Sequence, residues 1–188
     1  MKINILSFDL GNNLGVALSQ YNTKTKENKV IKTKLFCIDQ YINDHNFIID
    51  NITNRNSIKI LAFKSILHND ILKMINNYKI NIFITEDIFI YPGRLTAYKS
   101  LALYINALDE YINFYYHKDL LKISPKYIKY KFSSVKRGNA SKADMKIALS
   151  ALMNITTDIN INNLSEHEID AIAVAYVYIS EIVKINYI

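Results

Sequence analysis

The sequence predicts a single α/β domain over residues 1–188, a mixed five-stranded sheet flanked by helices in the order β-β-β-α-β-α-β-α-α. Three observations carry this. Residues 2–37 hold runs that alternate apolar and polar side chains with the two-residue period of strands. INIFITED, with three isoleucines, is a near-continuous apolar run of the kind buried on both faces of a parallel sheet. Segments with apolar residues three and four apart then separate the later strands.

Taken in order, KINILSFDL is a strand that ends on Asp9, and LGVALSQY follows it after the turn-forming Gly11-Asn12-Asn13. KVIKTKLFCI sets Val30, Lys32 and Lys34 against Ile31, Thr33 and Leu35, as in a half-buried strand. The Asn-rich stretch 38–56 receives no assignment. Helical spacing over 57–78 precedes the INIFITED strand, which ends at Glu86. A long helix is predicted at roughly 94–116, then the short strand DLLKIS. Pro125 suits a helix start, so PKYIKYKF reads as a short helix, followed by the basic loop SSVKRGNAS. Ser141 with Asp144 and Ser165 with Glu168 have capping-box spacing ahead of two closing helices.

Composition narrows the function. The single cysteine, Cys37, excludes a disulfide framework, and no Cys/His cluster has zinc spacing, so a reducing, intracellular setting is expected. Asp9 interrupts the apolar start, which therefore does not read as a signal peptide, and no apolar run is long enough to span a membrane. The formal charge is +6, within a composition of 32 Ile, 22 Asn and 20 Lys against 3 Arg that A/T-rich coding alone would produce. Position tells more. Residues 118–146 hold nine basic side chains and two acids, +7 in one stretch, leaving the remainder at −1. Such concentration is an electrostatic footprint for an anionic partner.

The candidate chemistry lies in carboxylates. Asp9 and Glu86 both end strands, and sites in open α/β sheets gather at carboxyl ends. Asp170 lies one turn inside the last helix, with His167 three residues before it and Glu166 four before, all on one helical face. Ala171, Ala173 and Ala175 would let that helix approach the sheet closely. Grouped carboxylates repel unless a hard divalent cation neutralises them, and two such ions can hydrolyse a phosphodiester. Each residue also has a plainer reading: Asp9 as a turn starter, Glu86 as a polar strand end, Asp170 as a solvated helix residue, His167 as a residue near a helix N-terminus.

FDLGNNLGVA, ITEDIF, SPKYIKYKFSSVKRGNASKADMKIAL and EHEIDAIAVAY resemble the four blocks of the RuvC-type Holliday-junction resolvases, within the ribonuclease H-like superfamily. The length and composition look most like the poxvirus branch. The resemblance covers roughly 1–20 and 80–180 and implies a ribonuclease H-like fold. It makes Asp9, Glu86 and Asp170 metal-binding carboxylates for Mg²⁺, two ions per site, with Mn²⁺ able to substitute. The family's fourth acid falls on His167 here, with Glu166 as the alternative. Lys142 matches a lysine near the scissile phosphate, and Lys126, Lys129, Lys136 and Arg137 lie in the matching basic block as DNA contacts. Phe89 matches an aromatic that stacks on a base at the crossover, and Tyr91 is a second candidate.

The implied activity is paired nicking of four-way and branched DNA by a homodimer, whose interface would be the helix near residues 94–118, apolar on more than one stripe. For the poxvirus branch the setting would be concatemer processing in the host-cell cytoplasm. Two other readings stay open: a nuclease of RNA–DNA hybrids, and a non-catalytic branched-DNA-binding protein. An actin-like phosphotransferase, whose first strand also ends in Asp-x-Gly, would need a much longer chain.

Overall fold

The computed structural model describes residues 1–45, 47, 54–88, 95–132, 142–152, 154–155 and 159–185. Strands β1 (Lys2–Asp9), β2 (Asn13–Asn22) and β3 (Asn28–Cys37) form an antiparallel meander. Helix α1 (Ile38–Asp44) follows directly, then α2 (Arg55–Ser65), a π-helical stretch Ile66–Ile71, and α3 (Leu72–Ile75). Strand β4 (Ile82–Glu86) runs parallel to β1, α4 (Leu95–Tyr116) crosses over, and β5 (Leu120–Ile123) pairs parallel to β4. The chain then forms α5 (Pro125–Phe132), α6 (Lys142–Leu152), the two-residue strand β6 (Asn154–Ile155), a 3₁₀ turn at Ile161–Asn163, and α7 (Glu166–Ile185). The strand order is β5-β4-β1-β2-β3-β6.

The sheet separates two cores, and strand parity decides which side chain enters which. Leu6, Phe8, Leu14, Val16, Leu18 and Phe83 face α1–α4. Ile5, Ala17, Tyr21 and Ile84 face α5–α7, as do the buried Ala171, Ala173 and Ala175 of α7. Small side chains on both surfaces, Ala17 and Ser19 on β2 and the alanines on α7, let helix and sheet lie close. No helix among the described residues is long and apolar enough to cross a membrane.

The five expected strands and the ribonuclease H-like architecture are present, with two additions and one correction. Two residues, Asn154 and Ile155, extend the sheet beyond β3, pairing with Lys29 and Val30. Residues 38–44, left unassigned from sequence, form α1 and bury Ile38, Tyr41 and Ile42. The alternation read through β3 does not hold along its length. A register shift opposite Leu18 and Ser19 pairs Leu18 with Lys32 and Ser19 with Val30, so Ile31 is passed over. This bulge resets the faces, and Val30 joins the α7 side while Phe36, of the same parity, joins the other. The Ser165–Glu168 capping box forms: Glu168 N–H donates to Ser165 Oγ at 3.2 Å and Ser165 N–H to Glu168 Oε2 at 3.0 Å. The Ser141 cap lies outside the described residues.

Candidate active site

Asp9 shares parity with Ile5, and Glu86 with Ile84, so both carboxylates face α7. The β1–β4 register ends at Phe8–Thr85, where Thr85 Oγ1 donates to the Phe8 carbonyl at 3.1 Å. Asp9 and Glu86 are therefore the next residues on two adjacent parallel strands. Glu86 is paired on its other side with Ile123 of β5.

Gly15 brings the helix to them. It sits opposite Asp9 in the antiparallel β1–β2 register, hence on the same face. A Cβ on Gly15 would lie 2.1 Å from the His167 carbonyl oxygen, 2.4 Å from its carbon and 3.0 Å from the Glu168 nitrogen. Only glycine allows the first turn of α7 to rest on β2 there. His167 consequently reaches Asp9, with Nδ1 to Oδ2 at 2.6 Å and side chains 35% and 15% exposed. An ionised Asp9 is acceptor-only, so Nδ1 carries the hydrogen and, in the neutral ring, Nε2 keeps its lone pair. Asp170 continues the same helical face one turn on, four residues before the buried Val174. Glu166, the alternative to His167, is exposed.

In kind, three carboxylates and an imidazole on one face suit a hard divalent cation, with the imidazole more at ease on Mn²⁺ than on Mg²⁺. In position, no three His, Cys, Asp or Glu side chains among the described residues converge closely enough to hold a metal ion. The structure brings Asp9 and His167 into contact and sets Glu86 and Asp170 on the flanking strand and helix turn.

Of the DNA-contact residues expected from sequence, Lys126 and Lys129 are exposed on α5, whose opposite side buries Ile128 and Phe132. Lys142 begins α6, but its side chain lies outside the described residues, as do Phe89, Tyr91, Lys136 and Arg137 altogether.

A group that sequence reasoning missed braces the turn after Asp9. Lys59 of α2 donates to Asn12 Oδ1 at 2.7 Å and pairs with Asp39 at 2.9 Å, while the Ile38 N–H bonds the Asn12 carbonyl at 2.8 Å. Lys59 is read as one more polar position of an amphipathic helix, and nothing local in the sequence links it to Asn12. The Lys59 hydrogen bond holds the Asp39 carboxyl below its ordinary value of 3.8, helped by Asn12 and by the charges of Lys59 and Arg55 against the opposing cost of burial. With the folded value depressed, Asp39 contributes stability above the unfolded value, and that contribution is lost as pH falls through the folded one. Urea unfolding should therefore show Asp39→Asn less stable than wild type at about pH 6, with the gap closing towards about pH 2. A gap independent of pH would remove the charge from this brace.

No protein-family model and no curated protein sequence matches the chain. Solved structures do. RuvC of T. thermophilus in complex with a Holliday junction substrate superposes with a TM-score of 0.66 at 11% identity, covering 93% of this chain and 92% of that one. The chain shares the resolvase fold. The yeast mitochondrial Holliday junction resolvase gives 0.66 at 13% identity, over 94% of this chain and 78% of that one. The fowlpox virus resolvase bound to Holliday junction DNA gives 0.54 at 13% identity, over 94% and 99%.

Proposed function

We propose that this protein is a divalent-cation-dependent endonuclease that resolves four-way DNA junctions by paired nicks. The observation that carries the reading is the meeting of Asp9 and His167 over Gly15, with Glu86 and Asp170 on the same face. Near-complete coverage of resolvase structures supports it. Asp9, Glu86 and Asp170, with His167, would hold Mg²⁺ or Mn²⁺. When bound, two such ions supply activation of water and stabilisation of the leaving 3′-oxygen, giving 5′-phosphate and 3′-hydroxyl ends.

The chain's own residues do the rest. His167 fixes the Asp9 carboxylate through its Nδ1 hydrogen bond, and Lys59 holds the following turn from the opposite face of the sheet. Lys126 and Lys129, with Lys136 and Arg137, would position phosphates without reading bases, so affinity should fall steeply with salt. Lys142 is assigned to the charge developing on the scissile phosphate, and Phe89 or Tyr91 to a base at the crossover.

Symmetric nicking requires two sites, and we assign dimerisation to α4. It buries Tyr104, Ile105, Leu108 and Ile112 yet leaves Leu103, Phe114 and Tyr115 exposed, Phe114 by 74%. Following the poxvirus resemblance, the substrate would be replicated viral DNA in the host cytoplasm. Incubating the protein with a four-way junction and with an RNA–DNA hybrid, each in Mg²⁺ and in Mn²⁺, tests the function. Paired junction nicks with the hybrid intact are expected. Hybrid-only cleavage would make it a ribonuclease, and junction binding without cleavage in either metal would make it a binding protein.

A further inference from the structure

Away from the carboxylates, α5 carries two exposed tyrosines, Tyr127 and Tyr130, beside the lysines already assigned to phosphates, and the function above leaves these rings unused. Its outward residues are Lys126, Tyr127, Lys129 and Tyr130, set at helical spacing on the side opposite the buried Ile128 and Phe132. The rings of Tyr127 and Tyr130 lie 24° from parallel with centroids 6.4 Å apart, forming a strip rather than an edge-on pair. Tyr127 is braced from beneath: its hydroxyl donates to Glu181 Oε1 of α7 at 2.7 Å, and the Lys131 ammonium lies 5.2 Å from its ring centroid. Lys131 also pairs with Glu181, so the only acid beside the strip among these contacts is already neutralised. Tyr130, the outer ring, is 64% exposed.

We propose that Tyr130 and Tyr127 form a stacking platform for unpaired nucleobases, with Lys126 and Lys129 gripping the adjoining phosphates. Every base offers a π-face, so such a platform takes single-stranded nucleic acid without sequence preference, and the lysines match the charge of its backbone. Fourteen helical steps of α7 separate Glu181, beneath the platform, from His167. At 1.5 Å per residue that is about 20 Å, so one DNA arm could engage both. The platform rests on the DNA-processing reading but adds two residues, Tyr127 and Tyr130, and a different ligand form, unpaired bases of a strand opened near the cut rather than the scissile phosphate.

The test is binding of a four-way junction carrying 2-aminopurine beside the crossover, and of an oligothymidylate, without divalent metal. Wild type is compared with Tyr130→Ala, Tyr130→Phe and the Lys126→Ala/Lys129→Ala pair, with thermal melting to confirm folding. Tyr130→Ala should bind about tenfold more weakly, with less fluorescence quenching and an unchanged salt slope, while Tyr130→Phe should match wild type. The lysine pair should flatten the salt slope by about 2. Wild-type affinity in Tyr130→Ala overturns the platform, and so does equal loss in Tyr130→Phe, which would show the hydroxyl rather than the ring at work. Wild type that cuts junctions while Tyr130→Ala binds normally leaves resolution standing and the platform fallen. Oligothymidylate binding that depends on Tyr130 in a protein that cuts no junction does the reverse.

Discussion

Replacing Gly15 with alanine should unseat the first turn of α7 and cost about 3 kcal/mol, at the upper end of what overpacking does, because every nearby atom is main chain. A flexible side chain could swing aside. The His167 carbonyl, 2.1 Å from the new Cβ, can move only if the helix moves. The helix in turn is held by Ala171, Ala173 and Ala175, all fully buried. The urea midpoint should fall with the m-value unchanged, and nicking should fall further than stability accounts for, since the Asp9–His167 hydrogen bond goes with the helix. Gly11→Ala is the control. Its Cβ would meet nothing nearer than the Asn13 carbonyl at 3.5 Å, an ordinary contact, and stability should change by less than about 0.5 kcal/mol. Equal effects at the two glycines would show that turn geometry, not helix approach, explains Gly15.

Asp9→Asn should abolish nicking, by about three orders of magnitude in single-turnover rate, while leaving junction affinity equal or tighter. The amide preserves shape and can still accept a hydrogen bond from His167 Nδ1, so the fold is retained. What disappears is the negative charge that the proposed cation site needs, along with its repulsion of the phosphates of the proposed DNA substrate. Affinity that drops in parallel with rate would instead make Asp9 a structural residue.

Much of this was legible because it is local. A two-residue period in β1 and β4 sets Asp9 and Glu86 on one face once the strands are adjacent, and a near-continuous apolar run placed β4 in the sheet interior. Ser165 and Glu168 cap each other from three residues apart, so spacing alone revealed the start of α7. The rest depends on distant partners. Gly15 falls in the expected second strand, where nothing local calls for a glycine, because its reason for being glycine is 152 positions away in His167. The bulge at Ile31 and the π-helical stretch Ile66–Ile71 each shift the period that pattern reading relies on. Asn12 and Lys59 meet only because α2 packs beneath the β1–β2 turn. For the candidate site, sequence named Asp9, Glu86, His167 and Asp170 and set the last two on one helical face. Direct contact between Asp9 and His167 emerged only from the fold.

The most direct test of the carboxylate face as a nuclease centre is cleavage of a synthetic mobile four-way junction by wild type and by Asp170→Asn, with binding measured on the same preparations. Asp170 is the informative member because it stands on α7, beyond the Asp9–His167 contact, and belongs to the site only if the helix face and the strand ends act together. Wild type should nick strands of like polarity in pairs, and Asp170→Asn should bind the junction undiminished and leave it uncut. Nicking retained by Asp170→Asn would contradict the account.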